Sequence, residues 1–232
     1  MKSMYKTKLG KAFNCDSLNL LNDEKFKKKY LGKVDLIITS PPFPLIHKKK
    51  YGNEVGDKYI EWLGQFSNIF KKYIKPKGSI VIEVGNSWTP GQPTFSLITL
   101  KSLINFLETG NLKLAQEFVW YNPAKLPTPA AWVTIKRIRV KDSFTKIWWM
   151  SKNFYPKASN KKVLISYSKK MEQLIKSQKY NHGKRISGHS INKTSFLSKN
   201  KGSIPSNVLM PSNVLPFSNT GNAFNKNYIQ YC

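Results

Sequence analysis

The stretch VDLIITSPPF, residues 34–43, decides the fold of this chain. Its first part is apolar, and the run from Asp35 to Thr39 predicts a short buried strand, which we expect to be central and parallel in its sheet. The strand stops abruptly in Ser40, two prolines and an aromatic ring. Either a turn or a ligand site at the carboxyl end of the strand could use these residues.

The segments downstream alternate between helix and strand patterns. Residues 56–78 carry large apolar side chains at spacings of three and four, which predicts a helix capped by Asp57. Residues 94–110 predict a second amphipathic helix. Further strands are predicted at 79–85, 113–122 and 145–152. This order predicts an α/β fold with an open, mostly parallel sheet, whose ligands bind outside the carboxyl ends of the strands.

The charge of the chain is strongly positive and unevenly distributed. Lysine and arginine number 39 against 12 acidic residues, which gives a net charge of +27. From Phe118 onward there are 20 basic residues and two acidic ones, Asp142 and Glu172. A solvated, lysine-rich surface is one explanation. The size of the excess favours a polyanionic partner, with nucleic acid the first choice.

Composition excludes several classes of protein. Hydrophobic residues make up 40% of the chain, so it can bury a core. No stretch approaches the roughly 18 apolar residues of a membrane span, and the first residues lack the apolar segment of a secretory signal. Two distant cysteines indicate a reducing compartment, so we expect a cytoplasmic location, and no His or Cys spacing predicts a metal site.

The four residues Ser40 to Phe43 could hold a flat ring that bears an amino group. Proline lacks an amide hydrogen, so the carbonyl groups around Pro41 and Pro42 are available as acceptors. The Ser40 hydroxyl adds another acceptor, and the Phe43 ring adds a face for stacking. These features suit cytosine or adenine turned out of its helix. Taken alone, four residues are more often a plain turn after a strand.

Longer segments favour the catalytic explanation. VDLIITSPPF resembles the catalytic motif of amino-methylating DNA methyltransferases, and its serine is typical of the cytosine-N4-specific branch, whereas the adenine branch more often begins the motif with Asp or Asn. The resemblance runs in order from residue 14 to residue 228. Its further segments are TSPPFPLIHKKKYGNE (39–54), WYNPAKLPTPAAWVTIKRIRVKDSFTKIWWMSK (120–152), NKKVLISYSKKM (160–171), GHSI (188–191), GSIPSNVL (202–209) and VLPFSNT (214–220).

The resemblance implies a fold and a division of the chain. We expect a Rossmann-like α/β sheet of the S-adenosylmethionine-dependent methyltransferase type, with helices on both faces, together with a basic region that faces DNA. Residues 1–155 would form the catalytic portion. Residues 156–232 would form a loop-rich portion for target recognition.

The resemblance also implies roles for individual residues. A catalytic role at the target amine is implied for Ser40, Pro41, Pro42 and Phe43. A place near the methyl donor, S-adenosylmethionine, is implied for Asp16, Thr39 and Glu83; Glu83 could instead face the target site or simply cap its strand. DNA contacts are implied for Lys48, Lys49, Lys50, Tyr51, Arg137, Arg139, Lys141, Lys184 and Arg185. For the cations between 137 and 141, an ionic network that braces the sheet is an equal alternative.

The glycine-rich cofactor loop of these enzymes has no counterpart in the sequence. None of the 13 glycines is spaced as G-x-G. In the branch that this chain resembles, the loop follows the catalytic motif near the C-terminus. We therefore expect the sheet to be incomplete, the strand that ends in Thr39 to have an exposed edge, and a second polypeptide to carry the cofactor half.

The function implied is methyl transfer from S-adenosylmethionine to the N4 amine of cytosine at a specific DNA sequence, within a restriction-modification system. Double-stranded DNA and a cognate restriction endonuclease are the expected partners, and no membrane is expected. Two alternatives remain open. The chain could be a non-catalytic or split-enzyme DNA-binding fragment, or it could be an adenine-N6 DNA methyltransferase.

Overall fold

The structure is a computed structural model that describes residues 3–44, 54–194, 197–198 and 200–210. The helices in these residues are α1 Ser17–Asn22, α2 Glu24–Tyr30, α3 Asp57–Tyr73, α4 Ile98–Gly110 and α5 Lys169–Ser177. The strands are β1 Tyr5–Lys6, β2 Lys11–Ala12, β3 Val34–Thr39, β4 Ile74–Val84, β5 Lys113–Tyr121, β6 Phe144–Ser151, β7 Gly183–Lys184, β8 Ser190–Ile191 and β9 Val208–Leu209. A π-helical turn spans Ala131–Ile135 and a 3-10 turn spans Asn160–Lys162. None of the described helices is both long enough and apolar enough to cross a membrane.

Five strands form the main sheet of the described residues, in the order β3-β4-β6-β5-β9. β3 and β4 are parallel, as are β5 and β9, whereas β6 is antiparallel to both of its neighbours. The prediction of an α/β fold is confirmed. The sheet is mixed rather than mostly parallel, because β6 turns back and inserts between β4 and β5.

The start of α3 differs from the prediction. Asp57 was predicted to cap this helix, but the cap position belongs to Gly56, whose φ of 60° is in the left-handed region. Asp57 is instead the first helical residue. A carboxylate in the first turn still interacts favourably with the positive end of the helix dipole.

Both long helices, α3 and α4, pack against one face of the sheet. The core there contains Tyr59, Leu63, Phe66, Phe70, Ile74, Ile80, Ile82, Val84, Leu103, Phe106, Leu112, Trp148 and Met150. Helices were expected on both faces. In the described residues the two long helices instead share one face, because alternate residues of β4 and β6 bury their side chains against the same helix pair.

β3 lies at the edge of the described sheet, which agrees with the expectation that this strand has an exposed edge, whereas the prediction of a central strand is wrong. Ile37 packs against the core, whereas the side chains of Leu36 and Ile38, on the other face, are 52% and 54% exposed. A continuous apolar run is typical of a strand that is buried on both faces. The run therefore did not distinguish this half-covered strand from a central one.

The chain divides into two compact units. The first takes in the described residues up to Lys157 and those from Asn207 onward, and the second is Ala158–Ser206. The first unit contains the five-stranded sheet. The second contains α5, the β7–β8 hairpin and a bridge between Ile165 and Ser203. Catalytic and DNA-facing roles for two portions of the chain stay predictions.

Candidate active site

Several strands bring their ends together at one edge of the sheet. β3 and β4 are parallel, and Thr39, the last residue of β3, pairs with Ile82. Ser40 therefore follows beside the end of β4, where Glu83 lies. Because β6 is antiparallel to β4, it begins at this same edge, with Lys146 opposite Val84. This edge of an α/β sheet is where ligands usually bind.

The residues Ser40 to Phe43 follow β3 as an irregular loop. Ser40 is exposed, and Pro41, Pro42 and Phe43 are half-buried. The next residue, Pro44, is buried, which holds the end of the described loop against the protein. The arrangement leaves a hydroxyl and carbonyl groups that can accept hydrogen bonds from an amine, beside an aromatic ring.

The Phe43 ring lies directly against Gly85, the residue after β4. A Cβ atom built on Gly85 would lie only 2.5 Å from Cδ2 of that ring. Gly85 was not predicted as a site residue, and its only signal in the sequence was its position at the end of a predicted strand. The contact joins the predicted catalytic loop to the end of the neighbouring strand.

Glu83 is held by a residue from the strand on its other side. Thr145 Oγ1 donates a hydrogen bond to Glu83 Oε1 at 3.0 Å, and the Glu83 side chain is half-buried. One residue before Thr145, the carbonyl of Phe144 accepts a hydrogen bond from Asn86 Nδ2 at 3.4 Å. Thr145 was not predicted from the sequence. Its hydrogen bond holds the Glu83 carboxylate against β6, at the edge of the sheet where β3 ends.

The basic residues between 137 and 141 are partly engaged within the protein. Lys141 Nζ donates hydrogen bonds to the carbonyl groups of Pro123, at 2.7 Å, and Lys125, at 3.3 Å. Arg139 Nη2 lies 3.6 Å from Asp142 Oδ2, and both of these side chains are less than one-fifth exposed. These contacts favour the bracing alternative for Arg139 and Lys141, whose role in DNA binding stays a prediction.

Arg137 and Lys125 differ from their neighbours in the same loop. Arg137 is exposed and has a φ of 55°, so it projects from a strained turn of the backbone. Its DNA contact stays a prediction. Burial lowers the pKa of the Lys125 ammonium, and the carboxylates of Asp142 and Glu83 offset part of this effect. Lys125 is thus a half-buried cation that the sequence did not single out.

The other predicted site residues lie elsewhere. Asp16 caps α1, where its carboxylate accepts a hydrogen bond from the amide of Asn19 at 3.0 Å. Residues 48–51 lie outside the described residues. Lys184 and Arg185 lie in and after β7 of the second unit, and both are exposed. Within the described part of the chain, no three His, Cys, Asp or Glu side chains group in a way that could hold a metal.

The chain is similar in sequence to known type II methyltransferases. Over 214 residues the chain is 41% identical to the type II methyltransferase M.PvuII of Proteus hauseri, covering 91% of this chain and 62% of that protein. It is 34% identical over 83 residues to the type II methyltransferase M.BglII of Bacillus subtilis, covering 36% of this chain and 21% of that protein.

A solved structure resembles the fold as well. The structure of the PvuII DNA methyltransferase (cytosine-N4-specific) matches with a TM-score of 0.57 and 34% identity, over 75% of this chain and 64% of that chain. The chain thus spans about three-fifths of the length of the M.PvuII relatives it matches. The family model described as DNA methylase matches residues 34–227, which begin at β3 and include the whole candidate site. The chain belongs to the DNA methylase family.

Proposed function

We propose that this chain is the catalytic portion of a site-specific DNA methyltransferase that acts on the N4 amine of cytosine, within a restriction-modification system. The observation that carries the proposal is the loop Ser40 to Phe43, which lies at the carboxyl end of β3 with its ring against Gly85. The 41% identity to M.PvuII supports it, as does the match to a structure named as cytosine-N4-specific.

The residues of the loop would act on the target base as follows. The Ser40 hydroxyl and the carbonyl groups of Pro41 or Pro42 accept hydrogen bonds from the amine. These bonds draw the amine hydrogens away from the ring plane and free the nitrogen lone pair for attack. The Phe43 ring stacks on the base that has been turned out of the helix. Direct displacement needs no covalent enzyme intermediate.

S-adenosylmethionine is the methyl donor in the same proposal. When bound, it would supply an electrophilic methyl group: the amine nitrogen would bond to the methyl carbon as the carbon–sulfur bond breaks, which leaves S-adenosylhomocysteine and releases one amine proton. Thr39 and Glu83 fit a place beside it, because they lie at the carboxyl ends of two adjacent parallel strands. Asp16 fits less directly, since its carboxylate already accepts a hydrogen bond from the amide of Asn19 as the cap of α1.

Double-stranded DNA is the proposed substrate. In the sequence of the second unit, residues 158–206, there are 11 basic residues and one acidic residue, and the hairpin residues Lys184 and Arg185 are exposed. Such an excess suits contacts to phosphate groups. A second polypeptide that carries a cofactor loop, a cognate restriction endonuclease and a cytoplasmic location belong to the same proposal.

The test identifies the methylated base. The chain is purified together with the polypeptide that carries the cofactor loop, and this complex is incubated with genomic DNA and S-adenosylmethionine. The DNA is then digested to nucleosides for mass spectrometry, with a reaction lacking the methyl donor as the control. We expect N4-methylcytosine. N6-methyladenine would move the chain to the adenine branch. Tight DNA binding with neither product would favour the DNA-binding fragment.

Two substitutions test the loop itself. Ser40→Ala removes one acceptor and Phe43→Ala removes the stacking surface, so we expect either change to lower methylation by about 100-fold or more while DNA affinity stays within about twofold. Phe154→Ala is the matched control, because that ring is 76% exposed at the other end of β6. Full turnover by the Ser40 or Phe43 variant would contradict the assignment.

A further inference from the structure

The missing side chain of Gly85 leaves the space that the Phe43 ring occupies. A Cβ atom on Gly85 would lie 2.5 Å from Cδ2, 2.7 Å from Cε2 and 3.1 Å from Cγ of that ring. Carbon atoms in contact normally stay about 3.5–4.0 Å apart. A side chain at position 85 and the observed ring position are therefore incompatible.

Glycine is needed here for space and not for its backbone conformation. The φ of Gly85 is not positive, so an alanine could adopt the same backbone. The Gly85 backbone is also anchored, because its carbonyl accepts a hydrogen bond at 3.3 Å from Thr99 Oγ1 in the first turn of α4. Thr99 is fully buried. A methyl group at position 85 would displace the half-buried ring more readily than the anchored strand end.

We propose that Gly85 is a positioning residue for base stacking, and that its bare Cα sets how far the Phe43 ring projects towards the target base. The proposal rests on the proposed function, since it assigns the ring to a base. To restore a normal contact with an added Cβ, the ring must move by about 1 Å. A misplacement of this size costs on the order of 100-fold in rate when it affects the reacting geometry.

The first test compares catalysis and base contact in Gly85→Ala and in a matched control. Gly10→Ala is the control, because a Cβ there would meet only Thr7 Oγ1, at an ordinary 3.9 Å. We expect Gly85→Ala to lower kcat by about 10- to 100-fold with little change in KM for DNA, and Gly10→Ala to change neither. A purely structural defect would lower the active fraction without altering the base contact.

The base contact is read by photo-cross-linking to DNA that contains 5-iodocytosine, with the modified residue located by mass spectrometry. We expect the wild-type chain to cross-link at Phe43, and Gly85→Ala to reduce this cross-link by about 10-fold or more at equal DNA affinity. An undiminished cross-link in Gly85→Ala would overturn the positioning role alone. No cross-link at Phe43 in the wild-type chain would overturn the stacking role and the proposed function with it.

A double-mutant cycle locates the clash. In the wild-type background we expect Gly85→Ala to lower Tm by about 2–10 °C, because overpacking strains the contact with the ring. In a Phe43→Ala background the same change should lower Tm by less than about 1 °C, since the added methyl group then has room. An equal loss of Tm in both backgrounds would mean that the methyl group meets another part of the protein, which refutes the proposal.

Discussion

Replacing either of two buried tyrosines on α3 with Phe is expected to change the stability of the chain, but in opposite directions. Tyr59 and Tyr73 are 0% and 2% exposed. The Tyr73 hydroxyl donates a hydrogen bond to the carbonyl of Leu21 at 2.5 Å, whereas the Tyr59 hydroxyl has no hydrogen-bond partner among the described residues. Removing each hydroxyl with Phe keeps the ring and its packing, including the contact of Tyr59 with Trp62. The two variants therefore isolate the hydroxyl.

The expected changes in the free energy of unfolding have opposite signs. A buried polar group without a partner costs about 1–3 kcal/mol, so Tyr59→Phe should stabilise the chain by up to that amount. A satisfied hydrogen bond contributes about 0.5–1.5 kcal/mol, so Tyr73→Phe should destabilise it. Urea unfolding of the full chain at pH 7, followed by tryptophan fluorescence, measures both changes.

The pH dependence provides a second measurement. Burial raises the pKa of the Tyr59 hydroxyl above its ordinary value of 10, so the folded chain keeps this proton at a pH where the unfolded chain releases it. Ionisation of Tyr59 in the unfolded chain therefore leaves stability unchanged below pH 10 and lowers the stability of the folded chain progressively as the pH rises above 10. The advantage of Tyr59→Phe should therefore grow above pH 10. A loss of more than about 0.5 kcal/mol at pH 7 would refute the reasoning, because it would reveal a partner for this hydroxyl.

Three further tests, at Thr145, Ile37 and Lys184, address the sheet edge and the second unit. Thr145→Val removes the donor to Glu83, so methylation should fall by about 3- to 10-fold, and Thr145→Ser should restore it in the same nucleoside assay. Ile37→Ala should destabilise the chain by about 2 kcal/mol in urea unfolding, whereas Ile38→Ala, at a half-exposed position, should change stability by less than about 0.5 kcal/mol. Lys184→Ala should reduce the slope of log affinity against log salt by about 0.9, measured by fluorescence anisotropy on labelled DNA; an unchanged slope would exclude a phosphate contact.

Helices and strands could be predicted where the pattern of apolar residues that indicates them lies within one segment of the sequence. The apolar run of β3 and the three-and-four spacing of α3 each lie within one segment, and both elements are present in the structure. The order of strands could not be predicted in the same way. β6 inserts antiparallel between β4 and β5, where Trp148 and Met150 are buried in the core. This position depends on contacts between distant segments, which no single segment of the sequence shows.

In the candidate site, too, the roles that depend on contacts between distant segments could not be predicted from the sequence. The loop Ser40 to Phe43 was predicted from its composition and its place after a strand, but Gly85 was not, because its role depends on the ring that presses on its Cα. Lys141 could not be assigned from its basic neighbourhood. Sequence gives the charge of a side chain, but only the folded loop shows that this ammonium donates to the carbonyl groups of Pro123 and Lys125.

The geometry of the site depends on the register between β3 and β4. A slip of one residue would turn every side chain of β3 to the other face of the sheet. It would also shift the loop after Thr39, so that the Phe43 ring no longer lay against Gly85. Ile37 specifies the observed register by packing against the core, and the 2.7 Å ion pair between Asp35 and Lys75 joins the starts of the same two strands. The ion pair is exposed and contributes little. At this edge of the described sheet, the position of the loop therefore rests mainly on the packing of Ile37 before it, and on the contact of the Phe43 ring with Gly85 and the burial of Pro44 after it.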